Sequence, residues 1–379
     1  MATFPKRFVI VTHELVYGAP HALFEYLRKK KQSVYFIAHP LTRDTDKSYI
    51  TYDQFRNKAL EIRIRTIHLP AIQFCMDALL TSVWFLRYIK RADVYIGVNP
   101  LNCAIGLLLK KCRRVTKVIY YAIDFTPIRY TQALLNSPYR FLEKWCVARS
   151  DEVWDVSPRI QEGRQRFYNV QQPLHLRIVP IGYWSKDIPS PPARKSQDMI
   201  IFIGHLLKKQ GAQIVVEALL FLKKKIPSIR FLIVGDGPYR GELNKQIEKL
   251  KLTEHVTLYG WETNRTRLMK CIATSDVGVA CYQESEKDTA NFTYYADPTK
   301  IKDYLACGVP VVLTNVPYNA CDISRKKCGI VVRYDAKEVA DALYFLLSDR
   351  RKNKQFQKNA QAYVKQFEWN LIFDSTKIV

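Results

Sequence analysis

The chain predicts an α/β protein built from two doubly wound parallel sheets that face one another across a cleft. Three observations carry that prediction. Short β-branched and aromatic runs alternate with stretches of helical periodicity along most of the 379 residues. The proline-rich stretch IPSPPARKSQ, Ile188–Gln197, breaks this rhythm near the middle, and the rhythm then restarts. The length suits two or three domains with full cores, at roughly 100–200 residues per domain. In order, Arg7–Thr12 (RFVIVT) reads as a first strand, and the turn Gly18-Ala19-Pro20 leads into a helix over Ala22–Lys31. Strands Ser33–Ala38, Ala92–Val98, Lys117–Ala122 and Glu152–Val156 follow, separated by helix-like stretches, which is the pattern of βαβ units and a parallel sheet. Beyond the prolines come strands Met199–Ile203, Arg230–Val234, Val256–Leu258, Val277–Ala280, Val311–Leu313 and Gly329–Val332. Helices Gln213–Lys225, Gly241–Leu250, Thr266–Thr274, Lys300–Cys307 and Ala336–Ser348 lie among them. The expected organisation is an N-terminal Rossmann-like domain at 1–187, a linker at 188–198 and a second Rossmann-like domain at 199–352. A helical segment at 353–379, with Phe356, Tyr363, Phe367 and Trp369 at its aromatic positions, would cross back to the first domain.

The composition is that of a globular protein: 48% hydrophobic, 25% charged, 14 Gly and 18 Pro exclude a disordered tail and a collagen-like fibre. Net charge is the outlying feature, 59 Lys+Arg against 35 Asp+Glu for +24. Residues 1–190 carry +14 of it and the remainder +10, so no single tail is responsible. Such a balance points to a polyanionic partner: nucleic acid, an anionic membrane or a phosphorylated ligand. The basic residues are spread through helical stretches such as Arg28–Lys31, Lys110–Lys117 and Lys223–Lys225, with no zinc knuckle and no base-stacking aromatics among them, which argues against nucleic acid. The nine cysteines are scattered without a CxxC pair, as expected of free thiols in a reducing cytoplasm. No signal peptide or spanning segment is read from the sequence. Ala71–Leu86, AIQFCMDALLTSVWFL, is interrupted by Asp77 and followed by Arg87, Lys90 and Arg91. It reads as an ordinary amphipathic helix or as one lying in a membrane interface. The expected location is therefore cytoplasmic, peripheral on the inner face of the cell membrane.

Candidate chemistry concentrates where strands of the second domain run into helices. Ile203-Gly204-His205 with Lys208, Lys209, Gln210 and Gly211 would let backbone N–H groups approach a phosphate beside lysine charge. Val234-Gly235-Asp236-Gly237-Pro238 is a second tight glycine turn. In the stretch YYADPTKIKDYLACGVPVV, Pro298 and Thr299 suit a helix start. Lys300 then falls in the first turn, where a cation is unfavourable unless an anion neutralises it; the alternative is a solvated surface lysine. Asp303 shares its face and would accept hydrogen bonds from ribose hydroxyls. Tyr282 and Trp261 are candidates to flank a base or a sugar, or to pack. In the first domain, Asp124 ends the strand VIYYAID and would face the cleft as a general base, the alternative being a cap or a partner for Arg129. His13, Glu14 and Gly18 follow the first strand and would border an acceptor, with His13 otherwise a packed residue. Asp44-Thr45-Asp46 spells a D-x-D metal motif but lies in a polar loop, so no metal is expected.

Taken as a set and in this order, GHLLKKQG, LIVGDGP, VTLYGW, DVGVA and KIKDYLACGVPVV resemble the donor-nucleotide domain of GT-B glycosyltransferases, especially glycosyltransferase family 4, over about Met199–Ser348. The sequence departs from that family at His205 and Gln210, where Arg and Lys are usual, and at Tyr295 and Asp303, where paired glutamates are usual. YYADPTKIKDY and VIYYAID are more similar to the inverting glucuronosyltransferase of the xanthan pathway, whose base is the Asp matching Asp124. The resemblance implies a hexosyltransferase of polysaccharide biosynthesis that moves a sugar from a UDP- or GDP-sugar to a glycan or lipid-linked acceptor. It would use no cofactor beyond that donor. The implied donor-binding set is Gly204, His205, Lys209, Gly235, Tyr282, Pro298, Thr299, Lys300 and Asp303, with Asp124 catalytic and His13 and Gly18 at the acceptor. A sugar-nucleotide epimerase of the same fold and a non-catalytic nucleic-acid-binding protein remain the alternatives.

Overall fold

A computed structural model describes residues 5–40, 47–54, 57–65, 70–130, 133–190, 197–283 and 292–379. It forms two compact units, Met1–Pro180 with Trp369–Val379, and Ile181–Glu368. The division therefore falls before 187. The Ile181 N–H bonds to Asp297 Oδ2 at 2.9 Å and the Tyr183 N–H to Phe367 O at 3.0 Å, which ties this stretch into the second unit. The expected linker 188–198 lies inside that unit, with 191–196 outside the described residues.

The first unit contains β1 (Arg7–Thr12), α1 (Ala19–Lys29), β2 (Ser33–Ala38), β3 (Lys47–Gln54), β4 (Asn57–Arg65), α2 (Pro70–Trp84), β5 (Ala92–Val98), α3 (Pro100–Lys111), β6 (Val115–Ala122), α4 (Ala133–Arg149), β7 (Glu152–Asp155), α5 (Pro158–Tyr168) and β8 (Leu176–Ile178). Its sheet runs β4-β3-β2-β1-β5-β6-β7-β8. The strands from β2 to β8 are parallel, and the hairpin β3–β4, which the sequence reading passes over, adds an antiparallel edge. β2 is buried throughout and β1 in all but Arg7, as expected of strands covered on both faces. Proline at the first position and a side-chain cap start α3 and α5, where Asn99 accepts from the Asn102 N–H and Ser157 from the Arg159 N–H.

The second unit contains β9 (Met199–Ile203), α6 (Ala212–Lys225), β10 (Arg230–Val234), α7 (Arg240–Lys249), β11 (Val256–Gly260), α8 (Arg265–Ala273), β12 (Val277–Ala280), α9 (Phe292–Tyr295), α10 (Thr299–Ala306), β13 (Val311–Thr314), α11 (Ala320–Arg325), β14 (Gly329–Val332), α12 (Ala336–Ser348) and α13 (Arg350–Val364). Its sheet is parallel throughout, in the order β11-β10-β9-β12-β13-β14. The single long helix expected over 353–379 is broken at Lys365–Phe367, and only α14 (Trp369–Thr376) returns to the first unit. There Asp374 accepts a 2.8 Å bond from the Tyr26 hydroxyl, and Phe373 packs on the Tyr26 ring with centroids 5.2 Å apart.

Part of the +24 is explained locally by this architecture. Arg28 and Lys29 of α1, Lys110 and Lys111 of α3, Lys223 to Lys225 of α6 and Lys249 of α7 occupy last helical turns, where a cation complements the helix dipole. Lys31, Arg113, Lys251 and Lys327 take left-handed conformations just past helix ends, the place that glycine commonly fills. Each sheet also has one strand whose two neighbours are reached by chains running in opposite directions: β1 between β2 and β5, and β9 between β10 and β12. The carboxyl ends of such strands open the crevice where doubly wound sheets bind ligands.

Candidate functional site

In the second unit, β9 ends in Ile203-Gly204-His205 and β12 in Ala280-Cys281-Tyr282, so these loops flank the switch point. Their backbones pack closely. A Cβ on Gly235 would sit 1.9 Å from Gly204 O, and one on Gly237 would sit 2.5 Å from Leu206 O. The Gly204 N–H bonds to Val234 O at 3.0 Å, and the Gly235 N–H to Gly260 O at 2.8 Å. Gly211, at φ +78°, has Cys281 O in the space a Cβ would need, and the Gln283 N–H bonds to Lys209 O at 3.0 Å. Glycine is thus required at these positions by close approach as well as by the turns themselves.

Lys300 occupies the centre of this loop cluster. Pro298 is the N-cap of α10, and Thr299 is its exposed first residue, so Lys300 stands in the first turn as the sequence predicts. Its Nζ donates a 2.9 Å bond to Gln210 Oε1 and lies 4.1 Å from the centroid of Phe202 and 5.1 Å from that of Tyr282. Lys300 Cε and Nζ also lie over Gly204, where a Cβ would be 3.4 Å from each. Among the described residues Lys300 is in no ion pair, and burial pushes its pKa down to about 7. Gln210, one of the departures from the expected family pattern, is thus the neutral acceptor for this ammonium. Tyr282 is buried, with Lys300 Nζ over its ring and its carbonyl accepting from Thr314 Oγ1 at 2.8 Å, so it is packed and not open to a base or sugar.

Other members of the predicted donor set are placed differently. Asp303 is buried, and both its oxygens accept from Arg265, at 2.8 and 2.6 Å, in place of the open carboxylate expected for ribose hydroxyls. Arg265 reaches on to Asp187 at 3.5 Å. His205 is exposed beside the exposed Trp261, edge to face with centroids 6.3 Å apart. Burial lowers the pKa of Lys209. Lys302, two residues from Lys300, is fully buried against Asp297 at 2.6 Å, and Asp297 Oδ2 also holds the Ile181 N–H. No sequence feature marks this lysine as half of a buried pair.

In the first unit, Asp124 lies just beyond β6 with its side chain part-exposed, and it accepts a 3.1 Å bond from Arg129 Nη1. The Arg129 alternative is therefore realised, without closing the carboxylate. The Asp124 loop is fastened from behind. Asn136 Oδ1 accepts the N–H groups of Arg129 and Tyr130 at 3.0 and 2.9 Å, and the Tyr168 hydroxyl donates to Pro127 O at 3.3 Å. Glu14 is the second carboxyl here. Burial and then the charge of Asp124 push its pKa up to about 8. Its Oε2 lies 2.6 Å from where a Cβ on Gly18 would stand, so glycine there makes room for it.

His13 is a packed residue. Its Nε2 faces Asp77 Oδ2 at 3.3 Å, its Nδ1 faces the amides of Asn99 and Asn102 at 2.8 and 3.0 Å, and it is 4% exposed, which leaves no ring nitrogen for an acceptor. Asp77 also faces His39 at 3.4 Å, so the acid that interrupts the apolar run of α2 is buried among histidines. Asp44 and Asp46 lie outside the described residues. Among the described residues no group of three or more His, Cys, Asp or Glu is arranged to hold a metal ion.

The family model described as Glycosyl transferases group 1 matches residues 185–363, which brackets the Lys300 cluster. Chitobiosyldiphosphodolichol beta-mannosyltransferase of Candida albicans is 26% identical over 126 residues, 32% of this chain and 26% of that protein. Sulfoquinovosyl transferase SQD2 of Arabidopsis thaliana is 24% identical over 206 residues, 49% of this chain and 37% of that protein. The matches thus span well under half the length of these curated relatives. Whole-chain likeness is found among solved structures. Sucrose-phosphate synthase of Thermosynechococcus elongatus has a TM-score of 0.72 at 17% identity, covering 98% of this chain and 97% of that one. Anabaena HepE in complex with UDP has a TM-score of 0.71 at 16% identity, covering 98% of both chains. WaaG, a glycosyltransferase involved in lipopolysaccharide biosynthesis, has 0.68 at 16%, covering 98% and 99%. Residues 185–363 thus carry the domain described as Glycosyl transferases group 1, and the chain as a whole shares the fold of these solved structures.

Proposed function

We propose that the protein transfers a hexosyl group from a UDP- or GDP-sugar to a glycan acceptor that is lipid-linked or held close to a membrane. The observation that carries this reading is Lys300: an ammonium at the sheet switch point, in the first turn of a helix, met by one neutral acceptor and two aromatic rings. Protein cations are seldom buried without a counter-charge. A diphosphate supplies one, and the N–H groups at the start of α10 add to it. Anabaena HepE has been solved with UDP and with UDP-glucose, so UDP-sugars are the first donors to test. The mannosyltransferase relative, named for a chitobiosyldiphosphodolichol acceptor, supports an acceptor on a lipid.

In this reading Asp124 takes the proton of the acceptor hydroxyl as that oxygen bonds to the anomeric carbon. The bond from that carbon to the diphosphate oxygen breaks, and the nucleoside diphosphate leaves with its charge stabilised by Lys300, with no metal ion required. Attack opposite the leaving group inverts the anomeric centre. Lys209 and the exposed His205–Trp261 pair would lie along the donor, and Arg265 would hold Asp303 in place beneath it.

The test is a thermal-shift screen of sugar nucleotides, followed by anomeric NMR of the product. Lys300→Ala should lose the donor-induced shift, and Asp124→Asn should keep that shift and lose turnover. Unchanged donor binding in Lys300→Ala, or retained transfer in Asp124→Asn, removes the corresponding assignment. A product with retained anomeric configuration removes the inverting mechanism.

A further inference from the structure

Helix α2 exposes an apolar stripe that its own unit does not cover. Leu79, Val83 and Leu86 are 67%, 50% and 53% exposed, and Cys75 is exposed one turn earlier. Cys75, Leu79 and Val83, four residues apart, share one face of the helix, and Leu86 follows in the π-helical turn Phe85–Ile89 that continues it. Asp77 and Thr81, between them in sequence, are buried on the opposite face. Helix α3 packs beside α2 and adds Leu108, 56% exposed.

Basic residues gather at the end of this strip. The chain leaving α2 carries Arg87, Lys90 and Arg91, and the chain leaving α3 carries Lys111, Arg113 and Arg114, all exposed. An N–H of Ala92 to Arg114 O bond of 3.0 Å holds the two chain segments together. Among the described residues none of these six side chains is in an ion pair, and Arg87 lies 5.8 Å from the Tyr88 ring.

We infer that the α2–α3 face docks on an anionic lipid bilayer, with Leu79, Val83, Leu86 and Leu108 entering the headgroup–acyl boundary and the six basic residues meeting lipid phosphates. This inference rests on, and localises, the membrane-proximal part of the proposed function. Charge complementarity selects the occupant. A second copy of the chain would bring six like charges against six across a two-fold interface. Nucleic acid would meet Leu79, Val83, Leu86 and Leu108, aliphatic side chains that give bases no stacking face. A surface of aliphatic side chains bordered by Lys and Arg matches a bilayer interface in both components.

The experiment is cosedimentation of the full chain with phosphatidylcholine vesicles, with and without phosphatidylglycerol. The expected result is binding to the anionic vesicles alone, weakened by salt. Arg87→Gln, Arg91→Gln and Arg114→Gln together should lower partitioning by about a hundredfold, three residues at about 1 kcal/mol each. Leu79→Ser, Val83→Ser and Leu86→Ser together should lower it by about tenfold or more. All six side chains are exposed, so both variants should keep the wild-type melting temperature and any sugar-nucleotide shift. That retained shift separates failure of the docking surface from failure of the donor assignment. Equal binding to neutral vesicles, wild-type partitioning by either variant, or a concentration-dependent dimer dissolved by the serine variant overturns the inference. Tighter binding of duplex DNA than of anionic vesicles, lost with the same arginines, overturns it as well.

Discussion

Glu14 is held near Asp124, and burial first, with the Asp124 charge second, raises the Glu14 carboxyl to about 8. Asp124 is part-exposed and accepts a 3.1 Å bond from Arg129 Nη1.

Stability should report this directly. A carboxyl whose folded pKa of about 8 exceeds its unfolded value near 4.5 binds more protons when folded, throughout the window between them. The stability contributed by protonated Glu14 is therefore fully present below about 4.5 and is lost as pH rises through 8. Glu14→Gln has no such titration. Its melting temperature should gain on that of the wild type as pH is raised from 5 to about 8.5. A constant difference between the two proteins across that range would place Glu14 in open solvent.

The donor-side glycines separate into required and dispensable positions. Gly211 combines φ +78° with a carbonyl oxygen, that of Cys281, only 1.6 Å from where a Cβ would stand, whereas a Cβ on Gly241 in α7 would meet nothing within 4 Å. Gly211→Ala should cost about 1–3 kcal/mol and weaken donor binding, because the Lys209–Gly211 loop must move. Gly241→Ala should be neutral or stabilising by up to about 1 kcal/mol. Chemical denaturation of both variants checks the contrast, and equal effects would contradict the close packing of these loops.

Lys300 is legible in the sequence because a lysine in a first helical turn is electrostatically misplaced, and that misplacement needs no tertiary information to notice. Lys302 carries no comparable sign. Two residues on, it points to another side of the helix and into a buried pair with Asp297 that only the fold creates. Arg265 is silent for the same reason, being 38 residues from Asp303 in the chain. The β3–β4 hairpin is within reach of the sequence: Leu60, Ile62 and Ile64 alternate with Glu61, Arg63 and Arg65. A search for β-branched runs passes over such an edge, since half of its positions are charged. The strands β1, β2, β5, β9 and β10 are readable because burial on both faces leaves them almost wholly apolar.

Arg164 should be the most consequential single charge in the first unit. It is fully buried, with Nε bonded to Glu143 at 2.6 Å and Nη1 to both oxygens of Asp155 at 2.8 and 2.7 Å. Glu143 also accepts from the Tyr120 hydroxyl at 2.7 Å. Arg164→Ala leaves two buried carboxyls facing one another, at a cost of about 3–5 kcal/mol. Arg164→Lys should recover little of this, since an ammonium cannot reproduce the fork that reaches both acids. Denaturation midpoints of the two variants read the difference, and a small loss in Arg164→Ala would show that the acids are neutralised without the guanidinium.

Donor binding should carry the titration of Lys300. In the free protein burial holds this amine at about 7, so above neutral pH a growing fraction is uncharged. A diphosphate selects the protonated form, and its own terminal phosphate, with a pKa near 6, is already ionised there. Affinity for UDP should be greatest near pH 7 and fall above it, by up to about tenfold per pH unit. Binding at pH 8 should take up close to one proton, which calorimetry in buffers of different ionisation enthalpy would measure. Lys300→Arg keeps its charge throughout and should abolish both the pH dependence and the proton uptake, whatever its absolute affinity. Proton uptake that persists in Lys300→Arg would assign the titration to another group and remove Lys300 from the diphosphate.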